Sequence, residues 1–224
     1  MSEAVVPMWP KGTDDRHVSA RIELAKQERR LRDQIEAVAA ARRALPPGPV
    51  LGEYEFVEAT AAQDRVRLTD LFGEHETLVV YHLMFAPSDD EACPMCSMWV
   101  DGFNGVTPHL TRHTAFVVVA KAPPDRLLEW ARRRGWDRLR VLSSHGTSFN
   151  EDMNAEFADE EQRPMVSVLR KTGDTVQHLY SLPANLIDGA ERGIDLLSPV
   201  WTVLDLLPGG RGDWYASNDY FQIT

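Results

Sequence analysis

Leu78-Val79-Val80-Tyr81-His82-Leu83-Met84-Phe85, then the polar loop Ala86 to Ala92, then Cys93-Pro94-Met95-Cys96 decide how the chain is read. A nearly unbroken apolar run of this length suits a strand buried on both faces of a sheet. The loop breaks the run, and Pro94 is suited to the first turn of a helix, where a missing N–H costs nothing. The two cysteines therefore fall at a strand-to-helix junction. A thiol reacts as the thiolate, and the unpaired N–H groups and partial positive charge of a helix start favour that form. Cys96 lies one turn on, within reach of Cys93. The acidic residues Asp89, Asp90 and Glu91 precede the pair and oppose a thiolate if they stay close.

Outward from this junction the pattern alternates. Ala115 to Ala120 reads as a second buried strand. Pro123 and Pro124 open a helix that closes before Gly135, and Leu139 to Leu142 is a short strand. Ser143 to Arg163 is polar and without period. Val166 to Leu169 and Val176 to Tyr180 flank Thr172-Gly173-Asp174, a hairpin signal. Asp188 to Leu206 has helical spacing. Upstream, Tyr54 to Val57 alternates like a strand, and Val66 to Phe72 resembles a strand end followed by a helical turn. The order is β, β-α-β-α-β, hairpin, helix: an α/β chain whose parallel core gains antiparallel strands at one side.

Before residue 50 the rhythm differs. Val18, Ile22, Ala25, Leu31, Ile35 and Val38 form one apolar stripe on a charged helix over about 16–45, which Asp14 or Asp15 could cap and Pro46-Pro47-Gly48-Pro49 ends. The stripe suits an arm packed on the main domain or one that pairs copies into a homo-oligomer. The expected organisation is a tail and helical arm over 1–49, a main domain over 50–208 and a C-terminal tail over 209–224.

With Lys plus Arg at 24 and Asp plus Glu at 34, the formal charge is −10. Such a surface repels phosphate backbones and anionic lipid, so neither nucleic acid nor a membrane is an expected partner. No stretch approaches a membrane span, and Met1 to Lys11 lacks a basic region followed by an apolar run. The expected setting is cytoplasmic and reducing. There, two cysteines in one Cys-x-x-Cys point to redox chemistry or metal binding rather than to a structural disulfide; the plainest alternative is two small core residues. No dinucleotide fingerprint appears, so no bound cofactor is expected.

Four further residues bear on the pair. His82 lies inside the buried strand and suits a satisfied core histidine; the alternative is a proton acceptor for Cys96 if its ring points that way. Trp99, one turn beyond Cys96, suits a core or pocket wall. The alternative to an enzyme is a non-enzymatic module that binds a partner or a metal, the metal held by Cys93 and Cys96 with His109 and His113, which are spaced i,i+4. Gly102, Gly105 and Pro108 are expected to interrupt the helix between the two pairs.

Together, Tyr81 to Pro87, Cys93-Pro94-Met95-Cys96-Ser97-Met98-Trp99, Asp101-Gly102-Phe103-Asn104-Gly105, Arg42 to Pro46, Asp70-Leu71-Phe72, Ser143-Ser144 with Phe149-Asn150, and Asp205 to Pro208 resemble a thioredoxin-like family of uncharacterised bacterial proteins. That family carries the label of a domain of unknown function or a predicted dithiol-disulfide oxidoreductase. The resemblance spans about 15–208. It implies a thioredoxin-like fold, a central mixed sheet flanked by helices, here with an added N-terminal helical arm. It also implies thiol-disulfide exchange on a protein or small-molecule disulfide, or peroxide reduction, with an unspecified reductant. In such folds a cis proline opens the strand beside the dithiol and leaves the adjacent backbone free to pair with a substrate chain. Pro164 occupies that place.

Overall fold

The computed structural model describes residues 8–157, 161–185 and 193–219. The chain divides into two compact units at Pro46/Pro47.

The first unit is one helix, α1 (Asp15–Arg43), capped by the Asp14 carboxylate, which accepts from the His17 backbone N–H at 2.8 Å. Arg42 and Arg43 lie in its last turn, where positive charge meets the negative end of the helix dipole. None of its side chains is buried, and Leu31, Ile35 and Val38 of the expected stripe are exposed.

The second unit is built on a mixed sheet of seven strands among the described residues. These are β1 (Glu55–Glu58), β2 (Arg65–Arg67), β3 (Thr77–His82), β4 (Ala115–Ala120), β5 (Arg140–Ser143), β6 (Met165–Thr172) and β7 (Thr175–Pro183), in the spatial order β2-β1-β5-β4-β3-β6-β7. Strands β3, β4 and β5 are parallel; β6 joins β3 antiparallel and β7 closes that side. The hairpin between β6 and β7 turns on Gly173, whose φ of +59° meets the need for a positive φ at the first loop position.

Helices α2 (Pro94–Leu110) and α3 (Pro124–Arg134) connect β3 to β4 and β4 to β5. Both crossovers step the same way across the sheet, so right-handed connections put both helices on one face. That face holds the core of Tyr81, Cys96, Trp99, Phe103, Val118, Leu127 and Trp130. The other face is covered by a 3-10 turn (Leu68–Phe72) and the short α4 (Phe149–Asp152), around Phe56, Phe72, Leu78, Val80 and Phe149. Parallel strands joined by helices, a dithiol at the first crossover and an antiparallel hairpin beside it make this a thioredoxin-like fold.

Three expectations need correction. Gly102, Gly105 and Pro108 do not interrupt α2, which is continuous from Pro94 to Leu110. Its buried side, with Cys96, Trp99, Val100, Phe103 and Thr107 at helical spacing, outweighs the propensity cost. The helix expected over Asp188 to Leu206 is, within the described residues, a 3-10 turn (Asp195–Leu197) followed by α5 (Pro199–Leu204). Pro199 starts α5, and the Ser198 hydroxyl caps it by accepting from the Val200 N–H. The Arg163–Pro164 bond is trans.

Candidate functional site

Packing fixes where α2 begins. The Cys93 N–H donates to the Met84 carbonyl at 3.0 Å, tying the helix start to the end of β3, and the Ser97 N–H returns to the Cys93 carbonyl at 2.9 Å. Deeper along α2, the Trp130 indole donates to the Ser97 hydroxyl at 3.2 Å. Asp101 pairs with the buried Arg134 guanidinium and accepts from the Trp136 indole at 2.8 Å. These bonds lock α2 against α3, so the dithiol stands on a rigid base.

Cys93 is the N-cap residue of α2 and is half-buried, whereas Cys96 is buried; both are free thiols. The Cys93 sulfur accepts from the Cys96 thiol, from the backbone N–H groups of Cys96 and Met95, and from the Tyr215 hydroxyl. Against the opposing effect of burial, these donors lower its pKa to about 6. The proton stays on the other sulfur, because donation to Cys93 and burial push Cys96 well above the ordinary thiol value. Tyr81 is fully buried with its hydroxyl outside any hydrogen bond of ordinary geometry, and the group it faces is the Cys96 sulfur. Burial and that thiol both hold the Tyr81 phenol well above its usual value.

The acids ahead of the dithiol are engaged elsewhere. Asp89 accepts from the Ala86 N–H at 2.8 Å, and Asp90 points to Arg126. Glu91 pairs with Arg133 at 2.5 Å and accepts from Asn218 at 3.1 Å, which holds its carboxyl below the usual range. Arg133 thus stands beside the Glu91 carboxylate, the acid closest to Cys93 in the chain.

Both sulfurs line a cleft of about 320 Å³ whose walls include Tyr81, Met84, Trp99, Pro164, Trp201 and Tyr215. A family described as bacterial protein of unknown function (DUF899) matches residues 8–223. The chain belongs to that family. No curated protein matches it. Among solved structures it is similar to a peroxidoxin, BcpB, from Mycobacterium tuberculosis, at 15% identity and a TM-score of 0.45 over 61% of this chain and 88% of the other. It is also similar to a peroxiredoxin-like protein from Aquifex aeolicus (16%, 0.48, 68% and 84%) and to a reduced 2-Cys peroxiredoxin from Plasmodium vivax (16%, 0.48, 67% and 90%).

On this DUF899 scaffold the residues singled out from sequence are only partly brought together. Cys93, Cys96, Trp99 and Pro164 share the cleft. His82 does not join them. Neighbouring strand residues face opposite sides, so Tyr81 points to the dithiol while His82 stacks on Phe149 and bonds the Ser167 hydroxyl at 3.0 Å. Burial and the neighbouring His178 push His82 down to about 3, which keeps it neutral. The metal alternative fails on length. His109 lies 16 residues beyond Cys93 along one helix, about 24 Å away at 1.5 Å per residue. Among the described residues no three His, Cys, Asp or Glu side chains converge on a metal-sized site. No described helix is long and apolar enough to cross a membrane.

Two contributors escaped sequence reasoning. Tyr81 was available from the alternation of β3, had the inward face been known. Tyr215 was not: it follows a Gly-rich stretch without period and reaches Cys93 only through the tertiary fold.

Proposed function

We propose that the chain is a dithiol–disulfide oxidoreductase in which Cys93 attacks and Cys96 resolves. The Cys93 thiolate attacks one sulfur of a disulfide RS–SR′; the S–S bond breaks, R′S⁻ departs and takes up a proton, and R stays on Cys93 as a mixed disulfide. Forming that bond removes the negative charge that had held the proton on Cys96. Cys96 then loses its proton, attacks the Cys93 sulfur and expels RS⁻, closing the Cys93–Cys96 disulfide. Two electrons pass from protein to substrate, and an external thiol reductant restores the pair. With a hydroperoxide the same pair would form a Cys93 sulfenic acid and an alcohol, and Cys96 would condense with it, releasing water.

The observation that carries this reading is the asymmetry of the pair: a half-buried Cys93 supplied with four donors, and a buried Cys96 that keeps the proton. At pH 7 a pKa of about 6 leaves roughly nine-tenths of Cys93 as thiolate. The test mixes reduced protein with bis(2-hydroxyethyl) disulfide and follows the products by mass spectrometry. Release of thiol with loss of two hydrogens from the protein, and a trapped adduct on Cys93 in Cys96→Ser, support it. A protein mass that stays unchanged contradicts it.

A further inference from the structure

The walls around Cys93 bear on the size of its substrate, and the inference rests on the oxidoreductase reading above. In β-strand addition a substrate chain pairs with exposed backbone groups. Beside this dithiol those groups are already used. The Arg163 N–H donates to the Ala155 carbonyl at 2.8 Å, Pro164 has no N–H, and its carbonyl accepts from the Ala184 N–H at 2.9 Å. Met165 pairs with His82 on one side and Pro183 on the other. The Arg163 N–H and the Pro164 carbonyl are therefore occupied within the fold.

The C-terminal segment covers part of the approach. Far from being a separate tail, it is fastened on both sides of the dithiol. The Ala216 N–H donates to the Met95 sulfur at 3.4 Å, and the Asn218 amide donates to the Ala92 carbonyl at 3.0 Å and to Glu91 at 3.1 Å. Ala216 and Asn218 are both buried. Between these fastenings and the ring of Trp201, which Trp214 meets edge-on at 5.4 Å, Tyr215 reaches the Cys93 sulfur. Cys93, Cys96, Tyr81 and Tyr215 share the cleft of about 320 Å³, at the small end of the roughly 300–1,000 Å³ range of ligand pockets. A more open depression of about 660 Å³, lined by Asp89, Glu91 and Asn218, also reaches Cys93, but Cys96, Tyr81 and Tyr215 are not in its walls.

We infer that the oxidant of this dithiol is a low-molecular-weight disulfide that enters the cleft, and that the segment from Tyr215 to Asn218 excludes the disulfides of folded proteins. The bonds exchanged are those given above; only the size of R and R′ is restricted. Asn218 is a fastening residue, bonded to the Ala92 carbonyl next to Cys93.

The experiment compares kcat/KM of the full chain for bis(2-hydroxyethyl) disulfide and for insulin, with dithiothreitol as the dithiol reductant. The expected value for insulin is lower by about a hundredfold, the scale on which denied access to a reactive geometry is felt. Asn218→Ala removes a charge-assisted hydrogen bond and should raise the ratio of the insulin rate to the small-disulfide rate by about tenfold, a ratio in which any change in Cys93 reactivity common to both substrates cancels. Equal rates on both substrates in the unaltered protein would overturn the inference and leave the oxidoreductase reading standing. Turnover of neither substrate would overturn both.

Discussion

The Tyr215 hydroxyl donates to the Cys93 sulfur, so a residue from the last stretch of the chain completes the surroundings of a thiolate at the start of α2. Cys93 thus has donors from two sources: its own helix, through Met95, Cys96 and the Cys96 thiol, and the C-terminal segment. Removing the second source should move the thiol without disturbing the helix. Tyr215→Phe is expected to raise the Cys93 pKa by about one pH unit, the scale of one hydrogen bond to a charged group at a half-buried site. Thiolate absorbance near 240 nm against pH reads this directly; an unchanged midpoint would remove Tyr215 from the site.

The Cys96 thiol is the largest influence on Cys93, ahead of the backbone donors and Tyr215. Cys96→Ala should therefore raise the Cys93 pKa more than Tyr215→Phe does, and Cys96→Ser, which keeps a donor, should raise it less than Cys96→Ala. The same titration ranks the three variants. Cys96→Ala with the midpoint of the unaltered protein would contradict the assigned donor.

Buried His82 gives the fold a pH dependence of predictable sign. Its folded pKa of about 3 lies below the unfolded value near 6.5, so the unfolded chain takes up the proton first as pH falls. Stability from this group is complete above about pH 6.5 and is lost progressively down to about pH 3. Between pH 6.5 and 4.5 the loss should be about 2 kcal/mol. His82→Leu should reduce that pH-dependent loss, because Ser167 keeps its bond to Ser181 at 2.9 Å and the ionising group is gone. Denaturant titrations at the two pH values give the comparison; equal losses in both proteins would mean that His82 charges in the folded state.

The N-terminal helix forms a unit of its own with Leu24, Leu31, Ile35 and Val38 exposed. A fragment spanning 47–224 should keep the Cys93 midpoint and small-disulfide turnover of the full chain while losing self-association. Light scattering on both proteins, alongside the thiol titration, separates the two effects. A shifted midpoint would tie the helix to the chemistry; the same number of subunits in both proteins would mean that the helix does not pair copies.

Local signals in the sequence carried most of the fold because local forces set them. The apolar run over β3, Pro94 after Cys93, and Gly173 between paired strands each answer to neighbours a few residues away. The site was legible only as far as the dithiol, Trp99 and Pro164. The choice between Tyr81 and His82 depends on which face of β3 meets α2, and period-two alternation fixes the difference between them but not its sign. Tyr215, Ala216 and Asn218 act through single long-range contacts, which leave no periodicity behind.

Which cysteine reacts, and at what pH, follows from the asymmetry of the pair. Reduced protein is pulsed briefly with iodoacetamide between pH 4 and 10, quenched and digested, and the labelled cysteine is quantified by mass spectrometry. The prediction is alkylation of Cys93 with a midpoint near pH 6 and Cys96 left unlabelled through neutral pH. Preferential labelling of Cys96, or a Cys93 midpoint at the ordinary thiol value of about 8.5, would contradict it.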